Sequence, residues 1–374
     1  MRRQAVLPAV AAAATALLLS SCGASPTAAG NGGGDKSAEA ARTASATYDR
    51  INGLTGKDRH DTLAGLAEKE GKLSIYTSNT DIDKLVAGFE NAYNIDVSVY
   101  RANSETVLQR ELQEQQAGFF GNDVIDTNAG ELNVMNKEGL LSPYEGALRD
   151  AVRKEGQANG WTASRFNVFV VGWNTDRVKP GQEPRSFEDL ADPKWKGQVS
   201  MEVGDVDWFA GMYEYYRGQG RSDAEIRDLF SRIAANSKVA KGHTTQGELL
   251  SAGQFAITVS SYSHTVDKAA DKGAPVTWHP KSGKPVEPIV VRPNGVGLMK
   301  TAQHPAAAML FMDWELTEGQ KILADAFRVG SIPGARDPLV GLTVVATPEK
   351  ELLDNPKKWD DLYAEIVQSG QEIK

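Results

Sequence analysis

Between Leu73 and Tyr100 the apolar positions change period twice, and the change divides the stretch into three elements. Leu73 and Ile75 alternate with polar residues at the two-residue period of a strand, and Ile95, Val97 and Val99 repeat it. Between these runs Ile82, Leu85, Val86, Phe89 and Tyr93 recur at three- and four-residue steps, which gathers them on one helix face. Thr80 and Asp83 have the spacing of a capping box and set the expected helix start. The pattern predicts a βαβ unit whose loop, Thr77 to Thr80, lies at the carboxyl end of a strand and the amino end of a helix. Free backbone N–H groups and a positive dipole end gather there. Open parallel sheets bind ligands along that edge. Ser78 and Asn79 are therefore candidate ligand contacts, with turn and cap bonding as the simpler role.

The alternation continues along the chain. Asn103 and Ser104 precede a polar helix, Glu105 to Gln116, with Val107, Leu108 and Leu112 inward. Asp123 to Asn128 reads as a third strand, followed by a short helix from Glu131 to Glu138 that Gly139 and Pro143 end. Asn103 and Asn128 thus fall on the same ligand edge. Val168 to Gly172 is an unbroken apolar run suited to a strand buried on both faces. Asp205, Asp207 and Trp208 lead into a helix carrying Met212 and Tyr216, with Trp208 either an aromatic cleft wall or core. Thr245 and Glu248 repeat the capping-box spacing, beside Thr244 as an anion contact. The strand Phe255 to Ser260 ends in Ser261, Tyr262, Ser263 and His264. Alternating strands and helices predict an α/β architecture with mainly parallel sheets. A nucleotide is disfavoured, since no Gly-x-Gly-x-x-Gly opens the first βα turn.

The amino-terminal end changes where this body is expected to work. Arg2 and Arg3 precede an apolar run from Ala5 to Leu19, about fifteen residues, too short for a stable membrane span and right for a signal-peptide core. Leu19, Ser20, Ser21 and Cys22 then resemble the lipobox of bacterial lipoproteins, in which cleavage leaves the cysteine first and its thiol carries a diacylglycerol. Cys22 is the sole cysteine, so no intramolecular disulfide or thiolate metal cluster can form. Residues 1–21 are the expected signal peptide. Residues 22–46, rich in Gly, Ala, Ser and Thr, are the expected lipidated cysteine and flexible tether. A weak helical pattern over 47–71 suggests a helical extension with no assigned role.

The remaining stretch, about 300 residues, suffices for two lobes with their own cores. The chain carries 41 Lys+Arg against 49 Asp+Glu, a net charge of −8, without a basic stripe interleaved with aromatics. Nucleic acid is thereby excluded as an expected partner. Five histidines, at 60, 243, 264, 279 and 304, show no metal-ligand spacing. A Gly-x-Ser-x-Gly elbow is absent, and Ser261 with His264 has no orienting acid, so hydrolysis is the weaker class. An adhesive surface lipoprotein would show repeats or Pro/Thr stalks, and neither occurs.

Several segments together carry a family resemblance. Asn122 to Tyr144, NDVIDTNAGELNVMNKEGLLSPY, is similar to a segment of periplasmic solute-binding proteins of the ferric-iron, thiamine and phosphonate type. Val168 to Val178, VFVVGWNTDRV, resembles that family's crossover strand, and Ser186 to Gly197, SFEDLADPKWKG, its most recognisable motif. His304-Pro305 and Phe311 to Gln320, FMDWELTEGQ, resemble its late helix. The resemblance implies a two-lobed type II periplasmic-binding-protein-like α/β fold of mixed, mainly parallel sheets joined by a two-strand hinge, near Phe169 and Ile289 to Val291. Lobe one would comprise 72–169 plus 290–340 and lobe two 170–289, with C-terminal helices over 341–374 packing on lobe two.

The function so implied is the lipid-anchored, non-enzymatic substrate-binding component of an ABC importer on the extracytoplasmic face of the cell membrane. Its expected partners are a small polar solute, the importer permease and the membrane through the lipid, with the chain a monomer and no cofactor. The candidate ligand set is Ser78, Asn79, Asn103, Asn128 and Thr244, neutral groups, with Arg165, Trp208, Ser261 and Tyr262. Arg165 would pair a carboxylate or phosphonate or form a salt bridge on the surface, while Asp205 and Asp207 point instead toward an amine. The alternative cargo is ferric iron on Tyr262 and His264. The iron-binding branch has paired tyrosines where only Tyr262 stands here, a histidine near Asn79 or Thr80 and often an acid near Asn128; the second tyrosine, the histidine and the acid are all missing from those places in this sequence.

Overall fold

The computed structural model of the protein describes residues 32–334, 337–367 and 371–372. Two helices, α1 (Gly32–Asn52) and α2 (Gly56–Glu70), precede β1 (Lys72–Thr77), α3 (Ile82–Ala92) and β2 (Asp96–Arg101). The change of apolar period in the sequence therefore marks real boundaries. α3 buries Ile82, Leu85 and Phe89, and Phe89 meets Phe311 edge-on at 5.3 Å. The chain continues through α4 (Ser104–Gln116), β3 (Val124–Asn128), α5 (Ala129–Lys137), β4 (Leu141–Ser142) and α6 (Ala147–Ala151) to β5 (Thr162–Asn174), whose thirteen residues are all buried.

The second lobe carries α7 (Phe187–Leu190), β6 (Val199–Glu202), α8 (Val206–Gly218), α9 (Asp223–Ala235), β7 (Ser237–Ala240) and α10 (His243–Ser251), then β8 (Ile257–Tyr262), α11 (Ser263–Asp271) and β9 (Val276–Thr277). The chain returns by β10 (Ile289–Met299) to α12 (Pro305–Glu315), α13 (Glu318–Asp325) and β11 (Val329–Gly330). It closes with β12 (Val344–Ala346), α14 (Glu349–Asp354), α15 (Pro356–Val367) and β13 (Gln371–Glu372).

A single strand path, β13-β7-β6-β8-β5-β10-β3-β1-β2, runs through both lobes. β1 lies parallel to β2 and β3, and β6 parallel to β7 and β8. β5 and β10 cross between the lobes as an antiparallel pair, with Val290 opposite Phe169 and Val291 opposite Val168. Alternation along β5 serves both cores: Phe169, Val171 and Trp173 enter one apolar cluster, Val168 and Val170 the other. Continuous hydrophobicity there is the sequence trace of a strand with no wet face.

The ends depart from the expected tether. Chain expected to be unstructured up to residue 46 is helical from Gly32, and Ala44, Tyr48 and Ile51 are buried. Those three positions form an i, i+4, i+7 stripe against α12, and the Ala-rich run before them favours helix. Tyr48 donates to the Met299 carbonyl at 3.0 Å, and Arg59 of α2 grips Asp313 at 2.8 and 2.9 Å. At the other end α15 buries Trp359, Leu362, Tyr363 and Ile366 in lobe two, while α14 contacts α5 of lobe one and α8 of lobe two. Cys22 and the expected signal peptide lie outside the described residues. Among the described residues no helix is long and apolar enough to cross a membrane.

Candidate functional site

A cleft of about 1130 Å³ opens between the lobes, where strand tips meet helix beginnings. Lobe one supplies the β1–α3 loop, the start of α4 and the end of β3. Thr77 fixes the loop: its hydroxyl donates to Asp126 at 3.0 Å and accepts from the Asn79 N–H at 2.8 Å. Ser78 shares a 2.9 Å hydrogen bond with Thr127, and the Asp81 N–H donates to the Asn79 side chain. Asn103 caps α4 by accepting from the Thr106 N–H at 2.8 Å. Lobe two supplies His243 and Thr244 from the first turn of α10, Tyr262 from the tip of β8, and His264 and Lys268 from α11.

Neither expected capping box forms. α3 begins after Asp81, whose side chain makes no cap bond, because Lys268 and Arg328 occupy both of its oxygens. α10 begins after Gly242, whose φ of 90° is open to glycine, so Thr244 and Thr245 sit inside the helix rather than at its cap.

Of the nine candidate residues, Ser78, Asn79, Asn103, Asn128, Arg165, Thr244 and Tyr262 line the cleft. Trp208 and Ser261 do not. Trp208 is fully buried in lobe two, edge-on to Phe230 at 5.7 Å, because the apolar stripe of α8 faces the core. Ser261 is buried within β8, on the strand face opposite to its neighbour Tyr262. Arg165 is neither a surface residue nor a free one: its guanidinium donates to Asp126 at 2.7 Å and stands 3.9 Å from Glu315, with all three side chains buried. Burial and the Asp126 charge push the Glu315 carboxyl up, and Arg165 opposes them.

The cleft also contains groups that strand and helix patterns did not single out. Arg292, on β10, donates to the Tyr262 hydroxyl at 2.6 Å and reaches the Asn128 side chain at 3.4 Å while paired with Asp207. The Asn294 side chain donates to Asn128 at 2.6 Å. Asp81 accepts from Lys268 at 2.8 Å and from Arg328 at 2.8 Å, so one lobe-one carboxylate bridges to α11 of lobe two. A charged residue inside the apolar run of β10 was a readable signal for Arg292. Lys268 and Arg328 gave none.

Burial pushes the Tyr262 hydroxyl up despite Arg292, and its ring stacks on His243 with centroids 3.7 Å apart. The His264 imidazole is held well below its ordinary range by burial and by the Arg328 and Lys268 charges. Asn79 Nδ2 and Asn294 Oδ1 are buried without partners. The arrangement suits recognition by hydrogen bonding and charge.

A two-lobed body with a polar cleft at its hinge is matched by comparison. The family model of bacterial extracellular solute-binding proteins matches residues 123–340. The chain belongs to that family. This solute-binding protein is similar to the Fe(3+)-binding periplasmic protein of Serratia marcescens, 23% identical over 318 residues that cover 81% of this chain and 92% of that one. Iron-bound HitA from Pseudomonas aeruginosa shares its fold with a TM-score of 0.66 at 18% identity, over 79% of this chain and 99% of HitA. The fructose-6-phosphate-bound periplasmic binding protein AfuA from Actinobacillus pleuropneumoniae does so with a TM-score of 0.66 at 20% identity, over 80% and 99%. The family binds solutes outside the cytoplasm and is not enzymatic.

Proposed function

We propose that this chain is the lipid-anchored capture component of an ABC importer and that its solute is small, polar and anionic. The observation that carries this reading is the convergence of cations from both lobes on one cleft, where they outnumber the acids Asp81, Asp83 and Glu248 that also line it. Lys268 comes from α11, Arg292 from the crossing strand and Arg328 from lobe one, with exposed Arg101 and Lys272 at the rim. Asn79, Asn103, Asn128, Thr244 and Ser78 offer neutral donors and acceptors for the rest of the solute, beside Tyr262. An anion meeting both lobes favours the closed arrangement by its differential affinity for it. ATP hydrolysis belongs to the importer partner. Cys22 carries the lipid, and the chain works as a monomer at the extracytoplasmic face of the cell membrane.

A thermal-shift panel tests the reading, since a ligand bound only by the native form raises its apparent stability. Phosphate- or carboxylate-bearing solutes should raise the midpoint, and stabilisation only by neutral sugars or amines would contradict it. Ferric iron is the second reading. It is favoured by the names of relatives and by Tyr262 stacking on His264 with centroids 5.3 Å apart. Ferric citrate belongs in the same panel. A visible tyrosinate–iron band that Tyr262→Phe abolishes would decide for iron.

A further inference from the structure

Behind the cleft wall of lobe two lie two buried carboxylates that the solute reading does not use. Glu202 ends β6 and is 7% exposed; Asp205 precedes α8 and is 2% exposed. Asp205 Oδ1 lies 2.9 Å from His243 Nε2, and its Oδ2 is buried with no partner. One ligand atom from each of Glu202, Asp205 and His243 falls within 4.8 Å of the others. Among the described residues neither carboxylate has a lysine or arginine partner, whereas the next acid, Asp207, is taken by Arg292.

We propose that Glu202, Asp205 and His243 form a binding site for one divalent transition-metal ion.

Charge is the first argument. Ionised, the two buried carboxylates carry −2 with no lysine or arginine beside them among the described residues, in a place where unpaired charge is costly. A dication beside a neutral imidazole brings the sum to zero.

Geometry is the second argument. Adjacent ligands about 2.1 Å from one ion stand roughly 3 Å apart, the separation already present between Asp205 and His243. The ligands are also held from outside. The Gly242 N–H donates to Glu202 at 2.7 Å, the Gly204 N–H donates to its other oxygen, and Tyr262 stacks on the His243 ring. His243 faces the cleft, which gives the ion its route in. Two carboxylates with one imidazole suit manganese or zinc better than calcium or magnesium.

The site borders Tyr262, whose ring stacks on His243, but takes no ligand atom from Tyr262 or His264 and needs no solute. The chelator-treated full chain, without solute, would be titrated with MnCl2 by electron paramagnetic resonance and with ZnCl2 by equilibrium dialysis with elemental analysis. One ion per chain is expected. Asp205→Asn and His243→Gln should each weaken it by about 100-fold or more, while His304→Gln, which alters the separate His304–Asp123 pair of lobe one, should retain it. If Asp205→Asn does not fold by circular dichroism, His243→Gln carries the test, because its ring is on the cleft wall. No stoichiometric ion in the parent chain, or one equivalent kept in His243→Gln through histidines elsewhere, would overturn the proposal. Solute binding measured with chelator present separates its failure from failure of the anion reading.

Discussion

The floor and the mouth of the cleft use the same ingredients to opposite ends. At the floor Arg165 is locked between Asp126 and Glu315, all buried, within lobe one. At the mouth Asp81 is shared between Arg328 of its own lobe and Lys268 of the other, and the Lys268 side chain is 28% exposed. A buried cluster of this kind sets which structure forms, because removing one partner strands the others without water. A pair that keeps some contact with water is worth less and is more easily exchanged. The comparison teaches that an arginine lining a cleft need not be the one that meets the solute.

The largest expected effect breaks the floor. Arg165→Ala leaves two carboxylates buried and unpaired, so stability should fall by about 3–5 kcal/mol, read as a lower urea midpoint. An unchanged midpoint with weakened solute affinity would instead return Arg165 to the ligand set.

Glu111 sharpens the role of the cation. It is buried on α4 with Gln115 as its hydrogen-bond donor, one oxygen is unpartnered, and burial pushes its carboxyl up to about 7. The fold therefore favours the protonated form. Its contribution to stability is complete below about pH 4.5, the ordinary carboxyl value, and is lost as pH rises through about 7. Glu111→Gln should thus stabilise the protein by about 1–3 kcal/mol at pH 8 and leave pH 4 nearly unchanged, in paired denaturation curves. Equal effects at both values would show that the carboxyl does not titrate as described.

Tyr262→Phe tests the mouth side without disturbing the floor. Arg292 loses its 2.6 Å acceptor, and solute affinity should drop about tenfold, the scale of one hydrogen bond to a charged group, with the thermal midpoint nearly constant. The smallest effect belongs to Lys268→Ala, under about 1 kcal/mol in stability. It should be erased by high salt, and a larger, salt-independent loss would mean that the bridge is structural.

How far the sequence could be read follows from how local each signal is. β1, α3 and β2 were legible because apolar period alone separates strand from helix, and of the five positions that spacing picks out Ile82, Leu85 and Phe89 are buried while Val86 and Tyr93 are partly so. The candidates that line the cleft, Arg165 excepted, share one local feature, a position at or near a strand end or helix start. Trp208 has that feature too, yet the same helical stripe that reveals an inner face cannot say whether that face meets a cleft or a core. The bridge at Asp81 was illegible for a different reason. Its partner Arg328 is 247 positions away, and no local pattern ties the two. α1 was missed because a small-residue run reads as linker until a surface exists for Ala44, Tyr48 and Ile51 to cover.

The central claim, capture between two lobes, is tested most directly by the distance between them. Spin labels at Glu138 and Asp228, exposed helix-end and helix positions on lobes one and two, in a chain with Cys22→Ser, would report it by pulsed electron resonance. Saturation with the solute that stabilises the protein should narrow the distribution toward a single shorter distance. An identical distribution with and without that solute would contradict capture by closure.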